Sequence, residues 1–240
     1  MDNFLNWAKS LYASLSDDFT LNFITADRWK YLWDGLIITL QITFLSAFIG
    51  IFLGFIIAII RSTYEMTGKS KLLNAICKFY LTIIRGTPVV IQLLIIYFVI
   101  FGSMPVDKII VAVIAFGLNS GAYVAEIIRS GISSIEKGQF EAGRSLGFNY
   151  VQTMVYIILP QAIKNVIPAL ANEFIVLLKE TSIAGYIALN DLTRGGAIIR
   201  SRTYSAFMPL VAVAIIYLVL VMLLSAGVTR LERRLKSSDH

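Results

Sequence analysis

The chain has 240 residues, 57% hydrophobic and only 15% charged, with a mean hydropathy of +0.75. Soluble domains carry about 25% charged residues, so this composition indicates an integral membrane protein. One cysteine, Cys77, excludes an internal disulfide and a cysteine-rich metal site. One histidine, His240 at the C-terminal end, leaves no histidine–carboxylate metal site and no histidine-based catalytic triad. The net charge of +6 is distributed in a way that fits membrane topology better than nucleic-acid binding.

Residues 1–34 carry Lys9, Arg28 and Lys30 against Asp2, Asp17, Asp18, Asp27 and Asp34, a balance of −2 (three cations less five anions). They lack the positive head, apolar run and small-residue site of a cleavable signal peptide. From Phe4 to Ile24 apolar residues recur at roughly helical spacing. That predicts a surface-lying amphipathic helix or a loosely ordered arm.

The first span is expected over Gly35–Ile60, longer than the ~20 residues a hydrocarbon core requires. Its Gly50-xxx-Gly54 pair suits ordinary close packing in preference to a specific dimer face. Arg61–Lys71 reads as a polar loop. Its Gly68-Lys69-Ser70 matches the end of a phosphate-binding loop, but Thr63 stands where the first glycine belongs, so no nucleotide site is expected.

A second span, Phe79–Phe101, is interrupted by Arg85-Gly86-Thr87-Pro88. Proline disfavours helix at the preceding residue and lacks a backbone donor, so a kink or break is expected. Arg85 must face protein, water or headgroups, because a guanidinium is costly in lipid. Gln92 follows about one turn on. After the Gly102–Pro105 turn, the third span is Lys108–Arg129. Asn119, Tyr123 and Glu126 lie on one face, at i, i+4 and i+7, which predicts a protein-facing or water-lined surface.

The stretch 131–160 is polar. The fourth span, Gln161–Leu178, carries Lys164, Asn165, Pro168, Asn172 and Glu173. Asn165, Asn172 and Lys179 recur on one face, with Glu173 and Glu180 beside them. A lipid-facing helix could not carry this load, so it is expected inside a bundle. Thr181–Ser205 reads as a basic, glycine-containing loop. The last span is Ala206–Thr229, followed by Arg230, Arg233, Arg234 and Lys236. Five spans put the two ends on opposite sides. A cytoplasmic tail then gathers Arg61, Lys69, Lys71, Arg129, Lys137 and Arg144 inside and leaves the acidic arm outside, as the positive-inside rule requires. Arg194, Arg200 and Arg202 are the exception, and part of their loop could dip back among the helices.

Glu141-Ala142-Gly143 is followed by three residues, Gly147, nine residues and Ile157-x-Leu159-Pro160. That spacing resembles the EAA loop of the membrane-spanning subunits of bacterial ABC importers, with Gly143 where the family pattern has alanine. Arg85-Gly86-Thr87-Pro88 with Gln92, Ala122-Tyr123-Val124-Ala125-Glu126 and Leu178-Lys179-Glu180-Thr181-Ser182 are similar to the polar amino acid uptake subfamily. The resemblance covers nearly the whole chain from Gly35 onward.

The resemblance implies an all-α integral membrane protein of about five transmembrane helices with a cytoplasmic coupling helix, the type I ABC importer permease fold. Residues 1–34 would be an extracytoplasmic arm, 35–230 the permease domain with its 131–160 coupling loop, and 231–240 a cytoplasmic tail. It implies a bacterial cytoplasmic membrane protein that pairs with a second permease subunit, a copy or a paralogue. ATPase subunits, which hold the ATP and magnesium, and an extracytoplasmic amino-acid-binding protein complete the assembly. The helix that docks on the ATPase would be roughly Lys137–Phe148, with Glu141, Ala142, Gly143, Gly147, Leu159 and Pro160 as the coupling residues. Their chemistry is compatible. A carboxylate at Glu141, near the expected helix start, suits the positive dipole end. Ala142 and Gly143 allow close approach to a partner. Gly147 can end the helix left-handed, and Pro160 fits the first turn of the next helix.

For the substrate path the candidates are Gln92, Asn119, Tyr123, Glu126, Asn172 and Glu173. Amides suit a zwitterionic amino acid, and a buried glutamate suits a cationic side chain. Alternatively, Glu126 pairs with Arg85 to hold the bundle, and Glu173 serves packing or topology. No nucleophile–histidine pair or phosphate cradle is present, so the chain is read as a transport subunit that binds no cofactor. A self-sufficient ion-coupled carrier or channel is the competing reading. Against it stand the modest length, the lack of an evident inverted repeat and the elaborate cytoplasmic loop. A membrane assembly factor is a third reading and would need no continuous polar path.

Overall fold

The computed structural model describes residues 2–236, so His240 lies outside the described residues, which are helical almost throughout and contain no strand. Helix α1 (Asp2–Phe19) passes through a π turn (Thr20–Ile24) and a 3-10 turn (Thr25–Asp27) into α2 (Trp29–Thr67). Helix α2 starts before Gly35 and continues past Ile60, so Arg61–Thr67 is helix and not loop. The expected loop shrinks to Gly68-Lys69-Ser70, with Gly68 and Ser70 left-handed at φ 67° and 63°.

Helices α3 (Lys71–Gly86) and α4 (Val89–Ile95, extended by a π turn over Ile96–Ile100) replace the expected second span. Their axes turn through 110° at the break, sharper than a proline kink. Gln92 closes it: Nε2 donates to Ile84 O (2.7 Å), Thr87 O (3.0 Å) and Thr87 Oγ1 (2.9 Å). The Ile84 carbonyl, which Pro88 cannot serve, and the Thr87 carbonyl at the break are thereby both satisfied.

Helix α5 (Lys108–Ser133) is capped by Asp107, which accepts from Ile109 N–H at 2.7 Å. The short α6 (Lys137–Ser145) follows. Next, α7 (Tyr150–Thr153), a π turn (Met154–Ile158) and α8 (Leu159–Glu180) run on from one another. Asn149 and Gln152 cap the start reciprocally, each accepting the other's backbone N–H at 2.9 Å. The helical rod leaving the polar stretch therefore begins at Tyr150, and Pro160 stands, as expected, in the first turn of its α8 portion. Leu159 N–H bonds back five residues to Met154 O. This widened turn lets Pro160, which has no N–H, sit inside the rod.

The expected loop over 181–205 is a 3-10 turn (Thr181–Ile187) and a helix, α9 (Leu192–Thr203). Fully buried Asp191 caps α9 by accepting from Thr193 N–H (3.1 Å) and Arg194 N–H (3.2 Å). Leu192 N–H donates to Thr39 Oγ1 at 3.1 Å, and a Cβ on Gly35 would stand 2.7 Å from Asp191 O. The segment thus packs on the first half of α2. Helix α10 (Phe207–Lys236) runs straight through residues 231–236, where a tail is expected.

Among the described residues, four helices are long and apolar enough to cross a membrane, and the bent α3–α4 pair makes a fifth if it crosses as one. The most extensive contact joins α2 and α5. A Cβ on Gly54 would lie 2.5 Å from Val124 Cγ1, and one on Gly50 2.8 Å from Ser120 Oγ. From the other side, a Cβ on Gly117 would lie 2.9 Å from Ile49 and one on Gly121 3.0 Å from Leu53. Gly50 and Gly54 are therefore packing glycines within the chain. Ser46 Oγ donates across the seam to Val113 O at 3.2 Å.

Helix α8 lies at the edge of this bundle, against α5 and α10, with Asn165, Asn172 and Lys179 exposed. The expectation that it is interior fails for this chain by itself: only 17% of the most apolar 18-residue stretch of Tyr150–Ile187 is buried. Gly54→Val should overpack the α2–α5 seam and cost about 1–3 kcal/mol. Gly227→Val, at a glycine with nothing within 4 Å, should cost far less. Thermal unfolding of the two variants in detergent checks the difference.

Candidate functional site

Helix α6 lies at the end of the bundle where α2 and α5 finish. Its C-terminus is a Schellman turn: Phe148 N–H reaches Gly143 O (3.1 Å), Gly147 N–H reaches Arg144 O (2.9 Å), and Gly147 takes φ 81°. The expected left-handed stop is therefore at Gly147. Glu141 is not near the helix start, because α6 begins four residues earlier at Lys137. It instead lines a hollow of about 380 Å³ with Ser62, Glu65, Lys137 and Arg144.

Gly143 serves a different contact from the one expected. It is the buried residue of α6, and a Cβ there would stand 2.6 Å from Thr153 Cγ2 and 3.1 Å from Ile157 Cδ1. The close approach is to the chain's own α7 and π turn, not to a partner. Ala142 is exposed, and so is Leu146, 71% accessible and one turn on. Leu146 was missed in the sequence. An apolar residue four after Ala142 on an otherwise polar helix was the available signal. Leu159 is half-buried and Pro160 exposed, farther along the rod.

A cavity of about 570 Å³ opens beside α5 and α8, lined by Arg85, Tyr123, Glu126, Ser130, Asn165 and Glu173 among others. It brings together Tyr123, Glu126 and Glu173. Glu173 accepts from Ser120 Oγ at 3.1 Å. Glu126 is held by Arg129, whose Nε lies 3.2 Å from Oε2 and whose Nη2 binds Oε1. Arg61 and Arg85 each stand 3.7 Å away. One carboxylate thus ties α2, α3 and α5 together, and Arg85 also lies 5.8 Å from the centre of the Tyr123 ring. Gln92 and Asn119 are buried and bonded to each other, Asn119 Nδ2 to Gln92 Oε1 at 3.0 Å, behind this cavity at the α3–α4 break. Asn172 is exposed and does not line the cavity.

The family profile described as "Binding-protein-dependent transport system inner membrane component" matches residues 50–237. The chain belongs to this family. It is 42% identical to the arginine transport system permease protein ArtQ of Bacillus subtilis, over 90% of this chain and 97% of that protein. It is 40% identical to the glutamine transport system permease protein GlnP of Escherichia coli K12, over 68% of this chain and 76% of that one. Among solved structures, an amino acid ABC transporter crystallised with histidines superposes with a TM-score of 0.81 at 43% identity, covering 88% of this chain and 98% of that one. The MetNI methionine ABC transporter, at 21% identity and a TM-score of 0.74, shares the fold.

The chain is thus a multi-pass inner-membrane permease subunit of an ABC importer, with the type I permease fold. Its family works with ATPase and binding-protein partners, and ATP hydrolysis falls to the ATPase.

Thr153 explains the departure from alanine at position 143. Gly143→Ala should push α6 off α7 and lower recovery of a bound ATPase. Thr153→Ala removes the obstructing atoms and forfeits no hydrogen bond, since Thr153 Oγ1 is buried without a partner among the described residues. The double variant should therefore regain most of the loss, as co-purification of the ATPase will report.

Proposed function

We propose that this permease carries a polar amino acid, cationic ones included, across the bacterial cytoplasmic membrane. An extracytoplasmic amino-acid-binding protein delivers the substrate. An ATPase that holds the ATP and magnesium drives the cycle by docking on α6, with Glu141, Ala142, Gly147 and Leu146 toward it and Gly143, Leu159 and Pro160 setting the geometry behind. The N-terminus is outside and the C-terminus cytoplasmic, with α3–α4 crossing as one broken span. A second permease subunit covers the polar face of α8, where Asn172 and Lys179 are otherwise left exposed.

The observation that carries the substrate reading is the cavity. Its lining holds Arg85, which stands 3.7 Å from Glu126, and a second carboxylate, Glu173. Glu126 is neutralised by three arginines, whereas Glu173 makes no ion pair among the described residues. A substrate ammonium or guanidinium would supply the missing charge, and Arg85 is placed for a carboxylate. The resemblance to arginine and glutamine permeases supports the same class.

Two variants test this in proteoliposomes holding the permease, its ATPase and its binding protein. Glu173→Gln should lower uptake of a cationic amino acid roughly tenfold, the worth of a charge-assisted hydrogen bond, and that of a neutral one much less. Equal losses would assign Glu173 to structure. Gly147→Asp should leave thermal unfolding of the membrane domain near wild type while ATPase binding and uptake both fall. Undiminished uptake would reject the docking role, and uptake by the chain alone on an ion gradient would establish the carrier reading instead.

A further inference from the structure

Helix α1 has no part in either the coupling helix or the cavity. The family profile begins at residue 50, so α1 also stands outside the matched scaffold. Tyr12, Leu15 and Phe19 fall at i, i+3 and i+7 on one face with Trp7 beside them, and all four are exposed at 77%, 42%, 51% and 58%. Asn6 and Asp17 fall on the opposite face, and half-buried Asp18 falls between Trp7 and Leu15 at the base of the helix.

The base of this helix is bolted to the bundle. Asn22 is fully buried; its Nδ2 donates to Asp18 O (2.7 Å) and its Oδ1 accepts from Thr203 Oγ1 (2.8 Å) at the end of α9. Phe23 packs with Leu32, Leu192, Ile199 and Val213. An elbow follows in which Ala26 and Asp27 are both left-handed, φ 56° and 54°, and Lys30 pairs with Asp27 at 2.7 Å. Helix α2 then opens with Trp29 and Trp33 exposed. The chain's three tryptophans, Trp7, Trp29 and Trp33, thus all sit in α1 or where α2 begins its apolar run. Tryptophan concentrates at the membrane–water boundary.

We infer that α1 is an interfacial anchor. It lies along the membrane surface on the side where α2 begins, opposite the coupling helix, with its Trp7–Tyr12–Leu15–Phe19 face set among the upper acyl chains. The partner of this face is lipid. It continues the aromatic level that Trp29 and Trp33 mark on α2, at the same end of the bundle. The attachment is apolar and not electrostatic, because the only cation of α1, Lys9, is outnumbered by Asp2, Asp17 and Asp18. Through Asn22 and Thr203 it holds the end of α9 at a fixed depth.

The test uses the full chain in lipid nanodiscs, with Trp29→Phe and Trp33→Phe leaving Trp7 as its sole tryptophan. Trp7 emission should fall about twofold or more with lipids brominated near the top of the acyl chains and less with bromines near the methyl ends. It should resist iodide and be unchanged by high salt or by added anionic lipid. Emission quenched by iodide and indifferent to brominated lipid would overturn the inference. So would protection that appears only when the binding protein is added, which would make a protein the partner. A nitroxide at Tyr12→Cys in a Cys77→Ala background gives an independent reading. Collisions with oxygen should exceed those with a water-soluble nickel chelate, and the reverse would overturn the inference equally. Neither measurement requires transport, so failure of the amino acid reading would leave it intact.

Discussion

The α2–α5 contact is closed by glycines on both partners, and the remaining elements are placed by it. Gly50 and Gly54 admit Ser120 and Val124, while Gly117 and Gly121 admit Ile49 and Leu53. Lipid gives two apolar helices little reason to associate, so close backbone approach and dispersion must supply it. The hydroxyls along this seam all find partners within the protein. Ser46 bonds to Val113 O, and Thr39 receives the first N–H of α9. Once α2 and α5 are fixed, Glu126 on α5 can reach Arg61 on α2 and Arg85 on α3, and Ser120 can reach Glu173 on α8. The polar cavity is thus a consequence of how closely two glycine faces meet.

The coupling helix depends on a second close approach of the same kind. Gly143 leaves room for Thr153, and the π turn after Thr153 lets the chain pass Pro160 without breaking. Force applied to α6 therefore meets a rod that runs from Tyr150 to Glu180 and carries Glu173 near its far end. Helix α6 and the cavity are joined by one element.

Much of this could be read from residue spacing. The apolar runs place four crossing helices, Pro88 places the break, and Gly147 places the left-handed stop. The EAA-type spacing finds the coupling helix, and the stripe on α5 finds Tyr123 and Glu126. Other features were written in the sequence but overlooked. Asn149-x-x-Gln152 is a capping box and announces a helix start at Tyr150. Asp191 before Leu192-Thr193-Arg194 is a simple N-cap, ahead of a helix read as a loop. Polarity suggested a loop there, yet a polar segment can form a helix if another element covers it.

What the sequence by itself determined is what local chemistry and period determine: the class, the spans, the break at Pro88 and the stop at Gly147. Which polar residues face one another was decided only by the tertiary structure. Gln92 and Asn119 have the composition of a substrate site, but they bond to each other and seal a helix break. Glu126 and Glu173 look alike along the chain, but three arginines reach one and a single serine reaches the other. The reason is that a polar group in a membrane helix is assigned its partner by packing. Packing is set by residues such as Gly54 and Gly143, which lack a side chain and show their meaning only when a neighbouring helix is in place.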